Sequence, residues 1–151
     1  MGAADALTSL ELFPQLKVSH IYSNLLENFQ LHAETLANYQ SSDDGRWHNI
    51  LNHPDSFLET SSTAMFLYSF IKGVQNNWLD PDGFQPIIEK SWIGLKNATD
   101  LDGTIFGIIG ETAIKDNIEN YEPKSTKYCD SAPGLGAVLR SIAAFLQYSK
   151  E

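Results

Sequence analysis

The chain has 151 residues, enough for one domain that buries about 70% of the surface its unfolded form would expose, so no disulfide or metal staple is needed. Ten Lys and Arg against nineteen Asp and Glu give a net charge of −9, spread along the chain, which argues against a nucleic acid partner. The longest apolar run, Ala64 to Ile71, is broken by Tyr68 and Ser69 and falls far below the ~20 residues of a membrane span.

The first residues show no basic region followed by an apolar stretch, and Ala6 occupies the place where a myristoylation signal needs Ser or Thr. The lone Cys129 forms no internal disulfide and points to a reducing, cytoplasmic setting. Ala3 to Leu12 reads as a short apolar helix halted by Pro14. Ile21, Leu25, Phe29, Ala33 and Leu36 then recur at helical spacing, so Ser19 to Gln40 is expected to be an amphipathic helix ending near Asp43-Asp44-Gly45. Ser62 to Asn76 differs, because Met65, Phe66, Leu67, Phe70, Ile71 and Val74 cover most faces between small residues. A helix apolar nearly all round belongs inside.

The turn Asp80-Pro81-Asp82-Gly83 precedes a second amphipathic helix, Phe84 to Asn97, carrying Ile87, Ile88, Trp92 and Leu95 on one side. Tyr121 to Cys129 has no period and is expected to be irregular, and Pro133-Gly134 opens a last, small-residue-rich helix from Leu135 to Tyr148. The order contains a weak repeat of 58 residues: an Asp-Gly turn (Asp44-Gly45, then Asp102-Gly103), a short apolar stretch, and a Glu-Thr pair (Glu59-Thr60, then Glu111-Thr112). Alternating amphipathic and all-apolar helices in such units predict an all-α fold of antiparallel helical hairpins.

Three stretches, DGRWHNILNHPDSFLETSSTAMFLYSFIKGV from Asp44, DLDGTIFGIIGET from Asp100 and CDSAPGLGAVL from Cys129, carry a resemblance when taken in order. Together they resemble the C-terminal part of the unsaturated glucuronyl and rhamnogalacturonyl hydrolases, glycoside hydrolase families 88 and 105, over nearly the whole chain. The resemblance implies a single domain, residues 1–151, corresponding to the C-terminal half of an (α/α)6 toroid that binds an oligosaccharide at one mouth of its inner ring. It implies acid-catalysed hydration of the double bond in a 4,5-unsaturated uronic acid, without a cofactor. Such chemistry needs a carboxylic acid of raised pKa. Family members place that acid in the first half of the toroid, so no catalytic residue is carried onto this chain, and the isolated chain is expected to be inactive.

Six residues are candidates for lining the sugar site. Thr60, Ser61 and the segment after Asp130 begin inner helices whose N-termini would face the mouth and attract a uronate, with Glu59 and Asp130 preceding them. Trp47 offers a stacking face and His48 lies beside it. Each has a plainer reading. Thr60 or Ser61 serves as an N-cap, Trp47 serves equally well as core, His48 and His53 read as loop histidines, and Asp55 after Pro54 is turn chemistry.

No pair has metal-ligand spacing, and Asp100-Leu101-Asp102-Gly103 is rejected as a calcium loop because Ala98 and Ile109 occupy ligand positions. Three functions remain open: a hydrolase of which this is one half, a non-catalytic carbohydrate-binding or interaction protein derived from it, and a structural subunit. The apolar flanks of an open ring, at Ala3–Leu12 and Leu135–Tyr148, are expected to meet a second copy or the N-terminal half.

Overall fold

A computed structural model of the chain describes residues 1–109, 116–118 and 132–150. Its helices are α1 (Gly2–Glu11), α2 (Pro14–Lys17), α3 (His20–Ala37), α4 (Thr60–Gln75), α5 (Pro81–Asn97) and α6 (Ala132–Tyr148); two short strands, β1 (Trp47–His48) and β2 (Leu58–Glu59), stand before α4. The helical hairpins expected from the sequence are present. The expected irregular stretch Tyr121 to Cys129 lies outside the described residues.

Side-chain pairs along the helices fix their directions. Trp47, beside the start of α4, donates through Nε1 to the Leu36 carbonyl near the end of α3, at 2.7 Å, so α3 runs antiparallel to α4. Gly134 approaches Ser61, which puts the first turns of α6 and α4 side by side, and Glu11 at the end of α1 accepts from Trp78 beyond the end of α4. The helices α1, α4 and α6 are therefore parallel, while α3 and α5 return on the outside. All three inner helices begin at one end of the array. Halfway along them Tyr68 Oη donates to Asp5 Oδ1 at 2.6 Å and Arg140 Nη2 to the same oxygen at 2.7 Å, a cross-link joining α1, α4 and α6.

Helix α4 is the centre. Ten of its residues from Thr60 to Gly73 are buried, and it packs against α6, α5 and α1. Among the described side chains of α6 one stripe, Gly134, Ala137, Val138, Ser141 and Ala144, is buried, whereas Leu135, Leu139 and Leu146 are exposed.

Several boundaries differ from expectation for local reasons. Helix α3 begins after the Ser19 cap and stops three residues before Gln40, and Ile21 is exposed while its neighbour Tyr22 enters the core. Helix α5 begins at Pro81 because Asp80 caps it, accepting from the Gly83 amide at 3.2 Å; the expected turn is the first turn of the helix. Helix α6 likewise begins at Ala132, so Pro133-Gly134 lie within it.

The repeat is visible in the backbone. At the end of α3 the bridge Gln40↔Trp47 closes a loop around Gly45, and at the end of α5 the bridge Thr99↔Ile105 closes one around Gly103. Both glycines have φ +87°, a conformation that glycine adopts without penalty. Glu59 stands immediately before α4, whereas the matching pair Glu111-Thr112 lies outside the described residues.

Candidate functional site

The candidate site lies where the inner helices begin, and the β1–β2 ribbon organises it. The register pairs Trp47 with Glu59 and His48 with Leu58. Successive side chains of a strand face opposite ways, so Trp47 and Glu59 turn inward while His48 and Leu58 turn outward.

Trp47 is fully buried, edge-on to Phe66 with ring centroids 5.3 Å apart and tilted against Phe70. It belongs to the core, with no face open to a sugar ring. Glu59 is also buried, and its carboxylate accepts from Ser61 Oγ (2.7 Å), the Ser61 amide (3.2 Å), the Ser62 amide and the Ile109 amide (3.2 Å). The N-cap of α4 is therefore Glu59, where Thr60 or Ser61 was expected. A carboxylate can cap as well as a hydroxyl and also meets the positive end of the helix.

Thr60 and Ser61 are buried in the first turn. The Thr60 amide donates to the Gly107 carbonyl at 2.7 Å, and its hydroxyl donates to the Phe106 carbonyl at 2.5 Å while accepting from Arg46 Nη1 at 3.1 Å. The first three amides of α4 thus have partners within the chain, and an anion of the chain itself occupies the end of the helix. Asp130 lies outside the described residues.

Asp44, expected only as a turn residue, and Arg46 beside it hold this end together. Arg46 makes a two-pronged ion pair with Asp44, Nε–Oδ1 2.5 Å and Nη2–Oδ2 3.1 Å, and through Thr60 it joins the α3 loop to the start of α4. A guanidinium matches a carboxylate in this forked geometry, which fixes direction as well as distance. The sequence signal is an Arg beside an Asp-Gly turn, but neither periodicity nor a motif marks it.

Of the six candidates, His48 is the one described side chain that remains partly open. Its Nδ1 lies 2.5 Å from the Ser56 carbonyl, so Nδ1–H donates and Nε2 is left as the ring's other polar atom. His48 lines a rim pocket of about 440 Å³ between the end of α3 and the ribbon. A larger apolar groove of about 510 Å³, among α1, α3 and α4, meets this pocket at Leu51.

Two carboxyls elsewhere have displaced values. Burial acts to raise Glu11, but hydrogen bonds from Tyr22, Lys17 and Trp78 outweigh it and hold the group below the ordinary range; at Asp102 the Thr104 amide does the same. Both stay ionised at neutral pH, the opposite of what an acid catalyst needs. Among the described residues no group of three or more His, Cys, Asp or Glu could hold a metal ion, and no helix is long and apolar enough to cross a membrane.

The sequence profile of glycosyl hydrolase family 88 matches residues 1–148. The chain is 26% identical over 146 residues to the unsaturated rhamnogalacturonyl hydrolase of Bacillus subtilis (strain 168), covering 96% of this chain and 40% of that protein. It is 28% identical over 130 residues to the unsaturated 3S-rhamnoglycuronyl hydrolase of Alteromonas sp. (strain LOR), covering 83% of this chain and 29% of that protein. The chain thus spans well under half the length of these relatives.

Among solved structures, a possible GH105 member from Salmonella enterica superposes with a TM-score of 0.84 at 22% identity, over 97% of this chain and 37% of that one. A family 88 glycosyl hydrolase from Bacteroides vulgatus superposes with a TM-score of 0.74 at 30% identity, over 97% and 41%. The helical hairpins are those of the toroid fold of these hydrolases.

Proposed function

The chain belongs to glycosyl hydrolase family 88, and from that premise we propose that it supplies the C-terminal half of a toroid that hydrolyses unsaturated uronic-acid oligosaccharides left by polysaccharide breakdown. The observation that carries this reading is the family match along residues 1–148, on a fold whose three inner helices begin at one end.

The residues at that end serve to build and bind rather than to transfer a proton. Hydration of the ring double bond needs a carboxylic acid free to give its proton and then to assist a water. Glu59 is held by four donors and Asp44 by Arg46, so neither is free. The family resemblance, which puts the acid in the first half of the toroid, assigns it to the other half of the ring. In this half, His48 and Asp130 contact the sugar, while Trp47, Glu59, Thr60 and Ser61 shape the wall from behind.

Two further parts of the proposal rest on separate observations. The single Cys129 supports a cytoplasmic location. The exposed leucines of α6 support association, with a second copy or with the N-terminal half as the partner. A non-catalytic carbohydrate-binding or interaction protein is the second reading, favoured by the same commitment of Glu59 and Asp44 to structural partners.

Incubation of purified residues 1–151 with an unsaturated uronyl disaccharide tests the proposal through the ultraviolet absorbance of the double bond. The expected result is no loss of absorbance for the chain alone and loss when an aspartate-bearing N-terminal half of a family member is added. Turnover by the chain alone, surviving repurification, would place the acid here and make Asp130 its candidate. Failure of every complementing half to restore turnover would favour the non-catalytic reading.

A further inference from the structure

We propose that the rim pocket beside His48 is an accessory site for a neutral sugar residue, distinct from the place where a uronate would enter. This rests on the hydrolase-family reading for its ligand class, and on the pocket's own chemistry for its preference.

The pocket lies at the end of the array where the inner helices begin, bounded by the end of α3 and its loop on one side and by the outward face of the ribbon on the other. Its volume, about 440 Å³, falls within the range of small-ligand sites. Part of the lining is apolar. Tyr39, about 40% exposed, lines the pocket together with Leu51 and Leu58, and its ring offers a face for the C–H side of a pyranose.

The lining also offers acceptors. The exposed Asp43 carboxylate accepts from Ser42 Oγ at 2.9 Å and keeps its remaining lone pairs, and His48 keeps Nε2 because Nδ1–H is given to Ser56. The second acid of the loop, Asp44, is neutralised by Arg46. Among the described residues no Lys or Arg lines the pocket.

That inventory selects the ligand. Sugar hydroxyls are donors that can satisfy Asp43 and His48 at once, and a flat apolar face covers Tyr39. A uronate would bring its carboxylate against Asp43 with no cation among the described lining residues to receive it, and like charges in contact oppose binding. The ligand is therefore a neutral, hydroxyl-rich sugar, such as a non-uronate residue of the same oligosaccharide.

The test is a titration of isotope-labelled residues 1–151 with L-rhamnose, D-galactose, D-glucuronate and D-glucosamine, followed by amide and imidazole shifts. The expected result is saturable shifts at Ser41, Ser42, Asp43 and His48 with a neutral sugar, and about tenfold weaker binding of glucuronate. Asp43→Asn should narrow that gap. Tyr39→Ala should abolish the shifts, while Tyr39→Phe keeps them and shows that the ring face is what matters.

Glucuronate binding as tightly as the neutral sugars, binding of glucosamine alone, or an absence of saturable shifts at these residues in a folded protein would each overturn the proposal. The readout is independent of turnover. A failed pocket leaves the hydrolase reading standing, and a failed complementation assay leaves the pocket's charge preference standing.

Discussion

At the start of α4 the side chain of Glu59 occupies the position that an anionic ligand would take. Four donors converge on its carboxylate, one of them, the Ile109 amide, from fifty residues away, so its removal would leave several buried N–H groups without partners. Losing a cap costs about 0.5–2 kcal/mol, and a buried unpaired donor adds to that. Glu59→Ala should therefore lower stability by about 2 kcal/mol, and Glu59→Gln by less, since one acceptor oxygen survives. Denaturant unfolding followed by circular dichroism measures both. An Ala variant as stable as the parent would return Glu59 to the role of a sugar ligand. The residue was legible as important from its place before a small-residue run, but its partner Ile109 has no mark in sequence.

The repeated turn is the clearest element on which sequence and structure agree. Gly45 and Gly103 share a positive φ, yet their surroundings differ: a Cβ on Gly45 would collide with the Lys90 carbonyl oxygen, whereas one on Gly103 meets nothing within 4 Å. Gly103→Ala should thus cost about 1 kcal/mol, from backbone conformation alone. Gly45→Ala should cost about 3 kcal/mol, because α5 must also move away. Equal losses in paired unfolding curves would mean that α5 yields freely. Element boundaries were less legible. Asp80-Pro81 reads as a turn and acts as a helix start, since a capping Asp and an N1 Pro serve both. The β1–β2 ribbon was not expected at all, because two-residue strands carry no period for a pattern to reveal.

In the molecule as a whole, α4 is enclosed, but α6 shows Leu135, Leu139 and Leu146 to solvent. Apolar residues gathered on one helix face mark an interface more often than a free surface. Sedimentation of residues 1–151 should therefore report a species larger than the monomer, and Leu139→Glu, at a position 58% exposed, should shift it toward monomer with the helical spectrum unchanged. On the opposite flank Leu7 is fully buried, so Leu7→Glu should unfold the chain rather than report on association. A soluble wild-type monomer at micromolar concentration would refute the association. The exposed apolar residues near that flank are Leu12, Phe13, Leu16, Val18 and Ile21.

The alternation of amphipathic and apolar helices, the enclosed helix, the repeated turn and the family were all determined by the sequence itself. Each is written in spacings within one segment or in the order of segments. Only the tertiary structure decided which mouth-end residues are free to bind. The strand pairing turns Trp47 inward and His48 outward, and amides from distant loops consume the carboxylate of Glu59. Such commitments depend on contacts between residues far apart in the chain, and no local pattern encodes them.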